Sequence, residues 1–200
     1  MDDQLARVLD DLYEEGRAHD GPLADRLLRL RNMTPDAARL VSTLIRARRA
    51  TSVLEIGTSN GYSAIWFADA VRDTGGRLTT VEIDADRVTA ALANLDRAGV
   101  REYADVVHGD GAETLARTPD ASVDLVVLDA ERPAYVDYWP QLRRILRPYG
   151  IVAVDNAVSH RDQVTAFHEL LTAEKEFAVA LHEVGDGVLT GIRVRAGQPK

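Results

Sequence analysis

The spacing of hydrophobic positions changes period along the chain. Leu5, Val8, Leu9 and Leu12 recur at helical spacing, and so do Leu23, Leu27, Leu28 and Leu30, so the first fifty residues predict helices. A third helix opens at Thr34-Pro35-Asp36, a hydroxyl cap followed by proline at the first helical position and an acid in the first turn. It carries Leu40, Val41, Leu44 and Ile45. From about residue 51, short apolar runs alternate with amphipathic stretches. These predict strands at Ser52–Ile56, Arg77–Ile83, Tyr103–His108, Val123–Asp129 and Gly150–Asp155. Helices are expected between them at Gly61–Arg72, Ala85–Ala98, Gly111–Arg117 and Ala134–Leu146, with one more near Arg161–Ala173. Runs such as Val123-Asp-Leu-Val-Val-Leu are almost continuously apolar, as strands are when helices cover both faces. Strand–helix alternation implies a parallel sheet with right-handed crossovers. Phe177–Val184, Gly185-Asp186-Gly187 and Val188–Val194 then read as a hairpin, which brings an antiparallel edge. The expected fold is an open α/β sheet of seven strands preceded by helices.

Composition narrows the function. Two hundred residues with 46% hydrophobic and 28% charged positions suit one soluble domain. Within it, residues 1–50 form a helical segment, 51–195 the core and 196–200 a tail. The absence of cysteine excludes disulfides, thiolate metal sites and cysteine nucleophiles. Acidic residues outnumber basic ones 32 to 24 and no basic run offsets them, which argues against a nucleic-acid partner. The start, Met-Asp-Asp-Gln, lacks the features of a signal peptide and no apolar run is long enough to span a bilayer, so a cytoplasmic location is expected.

In such a sheet, ligands bind beyond the carboxyl ends of the strands. The first strand ends in Glu55-Ile-Gly57-Thr-Ser-Asn-Gly61-Tyr-Ser63 and runs into a helix, a turn that lets backbone approach a ligand and offers free N–H groups to it. Glu82 ends the second strand, placed to accept hydrogen bonds from a ribose diol. Gly109-Asp110-Gly111-Ala112 ends the third, at the edge of an adenine pocket. A nicotinamide dehydrogenase needs G-x-G-x-x-G, but Ser59 stands at the second glycine. Glu55 would repel a pyrophosphate and welcome the ammonium and sulfonium of S-adenosylmethionine. No P-loop sequence is present. Asp129 and Asp155-Asn156 end the fourth and fifth strands. If neighbours, those strands lie ~4.8 Å apart, and two carboxylates with an amide oxygen suit Mg²⁺ or Ca²⁺.

Together, Val53-Leu-Glu-Ile-Gly-Thr-Ser-Asn-Gly-Tyr-Ser63, Val81-Glu-Ile-Asp84, Leu128-Asp-Ala-Glu-Arg-Pro-Ala-Tyr135 and Val154-Asp-Asn156 resemble the cation-dependent O-methyltransferases. This group includes the catechol and caffeoyl-CoA enzymes. The resemblance covers roughly residues 31–194. It implies a Rossmann-like, doubly wound fold, S-adenosylmethionine as donor, Mg²⁺ (or Ca²⁺/Mn²⁺), a small catechol-like acceptor and a homodimer. It also puts Glu55, Gly57, Thr58, Ser63, Glu82, Asp110, Gly111, Ala112 and Asp129 on cofactor contacts. Asp129, Asp155 and Asn156 fall on its metal ligands. One position departs from the pattern: the family lysine taken as general base is replaced by Arg132. Guanidinium cannot take the acceptor proton but can stabilise an oxyanion. Ala157-Val-Ser-His160 also differs from the tryptophan- and glycine-containing loop of plant and animal members. Asp129 and Arg132 are therefore the expected catalytic pair. The alternatives are a metal-independent methyltransferase acting on another nucleophile and a donor-binding protein without catalysis.

The five histidines show no metal-ligand spacing. His160 is a candidate acceptor-side base, and His108 is expected to be structural. Tyr135, Tyr138 and Trp139 read as buried aromatics of an amphipathic helix, with lining of the acceptor pocket as the alternative.

Overall fold

The structure, a computed structural model, describes residues 2–194, so the tail at 196–200 lies outside the described residues. Helix α1 (Asp3–Asp20) starts where the Asp2 carboxylate accepts the Leu5 N–H, and α2 (Pro35–Arg48) where the Thr34 hydroxyl accepts that of Ala37. Strands and helices then alternate: β1 (Ser52–Ile56), α3 (Tyr62–Thr74), β2 (Arg77–Glu82), α4 (Ala85–Arg97), β3 (Ala104–His108), α5 (Gly111–Arg117), β4 (Val123–Leu128), α6 (Tyr135–Ile145), β5 (Leu146–Val154) and α7 (Arg161–Ala173). The strands β6 (Phe177–His182) and β7 (Val188–Arg193) close the fold.

The seven strands form one sheet in the order β3-β2-β1-β4-β5-β7-β6, with β1 to β5 parallel. Alternate strand residues feed two apolar layers. Val53, Leu78, Leu125 and Ile151 pack with α1 to α4, whereas Leu54, Val81, Val126 and Val152 pack with α5 to α7. The strand order reverses between β1 and β4, and a crevice opens beyond the carboxyl ends there.

One expectation changes. The leucines at 23 to 30 do not form a helix: the segment is extended apart from a single 3₁₀ turn at Arg26–Leu28. Gly21-Pro22 interrupts the chain, and side chains then substitute for helical hydrogen bonds. The Asp20 carboxylate accepts the N–H groups of Leu30 and Arg31 at 2.7 and 2.8 Å, and the Arg29 guanidinium donates to the Leu23 carbonyl. Leu27 and Leu28 stay 64% and 60% exposed, so their spacing is not a buried stripe. The expected C-terminal hairpin forms, with β6 and β7 paired antiparallel. Helix α7 is a crossover that returns β6 parallel to β5, and β7 fills the gap between them, antiparallel to both.

Candidate active site

Backbone hydrogen bonds continue the ladder one residue past each strand and hold the tips in line. Gly57 donates to Val81, Gly109 to Glu82, Asp129 to Ile56 and Asp155 to Leu128, all between 2.9 and 3.1 Å. Beyond them lies a cavity of about 400 Å³. Gly57, Thr58, Ser63, Glu82, Asp110, Gly111, Asp129 and Arg132 are on its wall; Glu55, Ala112, Asp155 and Asn156 are not.

At one end the wall is a set of polar groups held by backbone. The Glu82 carboxylate accepts the Ser59 N–H on one oxygen and those of Ile83 and Asp84 on the other, at 2.8 to 3.1 Å. This fixes it at the mouth with lone pairs to spare for hydroxyls. Asp110 caps α5 through the Glu113 N–H, and Tyr138 closes this end beside Gly111. Gly57 has φ +102°, and a Cβ there would lie 2.2 Å from the Asp129 carbonyl oxygen. The glycine is thus required for β1 and β4 to meet as well as for ligand approach.

Glu55 behaves differently from the sequence expectation. It is fully buried behind the loop, its two oxygens bonded by the Ser63 and Thr80 hydroxyls at 2.5 Å. Burial pushes its carboxyl up to about 8, helped by the charges of Asp129 and Glu82 and opposed by those two hydroxyls. Its carboxyl stands behind the cavity wall rather than on it. Glu55 instead orients Ser63, which does reach the cavity.

The other end gathers charge. Burial raises the Asp129 carboxyl to about 6; Arg132 and Arg31 pull it down and Asp186 pushes it up. Asp155, next to it across the ladder, is raised by burial and then by the Asp129 charge. The Asn156 amide donates to one Asp155 oxygen at 2.6 Å, and the other oxygen is buried without a partner. Arg132 sits in a 3₁₀ turn (Arg132–Ala134) and is 3% exposed. One guanidinium nitrogen donates to Gln163 at 3.3 Å, while Nε is buried and unpaired. The Tyr135 hydroxyl donates to the Ala130 carbonyl and accepts its N–H, bracing the loop that carries both Asp129 and Arg132. Among the described residues no group of three or more histidine, aspartate or glutamate side chains converges to hold a metal. The available set is two carboxylates and one amide, all hard oxygens, with an orphaned carboxylate oxygen. That chemistry fits a hard divalent cation.

The sequence reading missed the near wall. The segment after α1 lies across the cavity as a strap: Leu27, Leu30, Arg31, Asn32 and Met33 line it, and Arg31 reaches Glu131 on the opposite side at 3.1 Å. Ser59 and Arg87 tie the strap down by donating to the carbonyls of Leu30 and of Leu27 and Arg29. The signal available was Gly21-Pro22, which breaks the helical reading that hid these residues. Asp186, in the turn before β7, was also missed. Tyr135 and Trp139 are buried in the core, whereas Tyr138 lines the cavity at the Asp110 end. His160 is not on the cavity wall, its ring bonded to the Ser159 hydroxyl. His108 bonds the Ile83 carbonyl from β3.

A doubly wound sheet with a polar cavity at its switch point and acids at successive strand tips is the architecture of a nucleotide-type cofactor domain. The profile of the O-methyltransferase family matches residues 9–194, and the chain belongs to that family. A catechol O-methyltransferase from Niastella koreensis is 30% identical over 130 residues, 64% of this chain and 58% of that protein, so the matched part spans less than two thirds of that relative. A Mycobacterium tuberculosis protein named a probable O-methyltransferase is 32% identical over 80% of this chain and 77% of its own. Among solved structures, the O-methyltransferase TomG of Streptomyces achromogenes, involved in tomaymycin synthesis and crystallised with S-adenosylmethionine, is 29% identical with a TM-score of 0.74. That match covers 98% of this chain and 91% of TomG. The Bacillus cereus O-methyltransferase, in complex with S-adenosylhomocysteine, is 21% identical with a TM-score of 0.75 over 96% and 91% of the two chains and supports the fold.

Proposed function

We propose that the chain transfers a methyl group from S-adenosylmethionine to a hydroxyl of a small, catechol-like aromatic acceptor, with a divalent cation held by Asp129, Asp155 and Asn156. One observation carries this reading: a single cavity joins the Glu82–Asp110 end to the Asp129–Arg132 end. A donor's nucleoside and its reacting methionyl end then have complementary walls in one hollow. Family membership and the donor or donor product in TomG and the Bacillus cereus enzyme support the donor's identity.

In this mechanism Glu82 accepts hydrogen bonds from the ribose hydroxyls, and Asp110 and Tyr138 border the base. The Gly57–Ser59 turn and Ser63 lie along the methionyl part. When bound, the donor supplies a methyl on a positively charged sulfur and the cation supplies Lewis acidity that lowers the acceptor's pKa. A phenol ionises near ~10, so about three units, or ~4 kcal/mol, must be found at neutral pH for the hydroxyl proton to pass to water before the methyl moves. The unpaired Nε–H of the Arg132 guanidinium is a preorganised donor for the negative oxygen that develops there. The strap keeps water away from a reaction in which opposite charges cancel.

Calorimetry with S-adenosylhomocysteine, followed by labelled-methyl transfer to catechol with Mg²⁺ or chelator, tests the whole reading. Donor-product binding with cation-dependent transfer, lost in Asp129→Ala, is expected. Binding without transfer to any aromatic hydroxyl would refute the acceptor assignment. A second reading, a cation-independent methyltransferase, draws on the buried guanidinium of Arg132, and full transfer in chelator would replace the first reading with it.

A further inference from the structure

A second cavity, about 320 Å³, adjoins the first and shares Arg31 and Asn32 with it. Its wall includes Arg31, which reaches Glu131 beside Arg132. Asp186 lines it and acts electrostatically on both Asp129 and Asp155, whereas the Glu82–Asp110 end of the first cavity contributes nothing to its wall. Three guanidiniums line it, from Arg17, Arg29 and Arg31. They face two carboxylates, and Asp20 is already committed to the N–H groups of Leu30 and Arg31 and to the His19 ring. The arginines are less fully engaged. Arg17 meets Glu14 at 3.5 Å on a solvated helix face, an ion pair that contributes little, and Arg29 donates only to the Leu23 carbonyl. Arg31 pairs with the half-exposed Glu131. Its backbone is left-handed at φ +54°, and a non-glycine residue kept in that region is more often placed than incidental. At the junction of the two cavities the Asn32 Oδ1 atom is buried with no partner, while Nδ2 donates to the Leu12 carbonyl.

We propose that the second cavity is a subsite for the acceptor's side chain, and that it selects aromatic hydroxyl compounds bearing a carboxylate a few bonds from the reacting ring. The ring stands at Asp129 and Arg132, the linker passes Asn32, and the carboxylate meets Arg31 and Arg17, with Arg31 leaving Glu131 for the ligand. Asp186 separates the two ends and disfavours an anion placed too near the reacting oxygen. This inference rests on the acceptor reading above, so its test has an arm that does not need turnover.

The test compares 3,4-dihydroxycinnamate with its methyl ester and with dopamine, on the full chain with Mg²⁺. Charge-assisted hydrogen bonds of this kind give the acid about a tenfold advantage in kcat/KM over the ester, with dopamine poorest. Arg17→Gln shrinks the acid-to-ester ratio about fivefold, through KM rather than kcat, and Arg31→Gln shrinks the same ratio. An acid no better than its ester, or variants that weaken both in proportion, would overturn the proposal. Calorimetry of the same compounds on protein saturated with S-adenosylhomocysteine separates the two readings. Acid binding that weakens in Arg17→Gln, with no methylation of any compound, upholds the subsite and removes the acceptor reading. Methylated ester with unbound acid removes the subsite alone, and an absence of both binding and turnover removes both.

Discussion

Glu55 illustrates how a side chain can stand at a strand tip and still lie behind the cavity wall. Its carboxyl is raised to about 8, chiefly by burial, against an ordinary value near ~4.3. Between those two values the folded chain holds a proton that the unfolded chain has released. Stability contributed by this group is therefore complete in acid and falls as pH rises towards 8. Glu55→Gln keeps the shape without the charge. Denaturant unfolding from pH 5 to 9 should show the wild type losing stability relative to the variant, and parallel curves would contradict the assignment. Arg132 belongs to the same scale. Replacing it with methionine removes the guanidinium aimed at the developing oxyanion, and turnover should fall by about 10²-fold while S-adenosylhomocysteine affinity stays within about twofold. A calorimetric loss of donor-product binding in Arg132→Met would instead place the arginine in the donor site.

The elements that carry these residues differ in how readily the sequence discloses them. Strand β1 and helices α5 and α7 fall where the apolar pattern predicts, because an interior strand or an amphipathic helix buries what its period displays. The strap follows no period. Its conformation comes from Asp20 accepting two backbone N–H groups and from Ser59 and Arg87 anchoring its carbonyls, contacts between positions far apart in sequence. Leu27 and Leu30 mimic a helical stripe because they face a cavity, not a core. Asp129 and Asp155 were legible as strand ends, whereas Asp186 depends on which strand β7 adopts as neighbour. The brace on the loop after β4 is local, spanning five residues, but it too follows no period: one phenol satisfies both polar groups of Ala130. Tyr135→Phe removes the partner of that part-buried N–H and carbonyl, a cost of about 1 kcal/mol. Denaturant midpoints should register it, and turnover should fall more than donor-product affinity because Asp129 and Arg132 ride on the same loop.

At the scale of the whole molecule, the cavity is assembled from pieces that no single element holds: the β1–α3 turn, the tips of β2 and β4, the start of α5 and the strap before α2. Ligand binding must then stabilise the entire sheet rather than one loop. A ligand at about 100 times its Kd adds about 2.7 kcal/mol to a chain that binds it only when folded. For a chain of this length each kcal/mol moves Tm by about 2–4 °C, so saturation with S-adenosylhomocysteine should raise it by about 5–10 °C. The contribution of Glu82 to that shift is separable from its hold on the backbone. Glu82→Gln retains an oxygen for the Ser59 or Ile83 N–H but loses the charge that strengthens hydrogen bonds from ribose hydroxyls. The variant should melt within a few degrees of the wild type when free, yet lose most of the ligand-induced rise. A full rise in Glu82→Gln would mean that the nucleoside does not lie at this end of the cavity, and the orientation of donor and acceptor would have to be reversed.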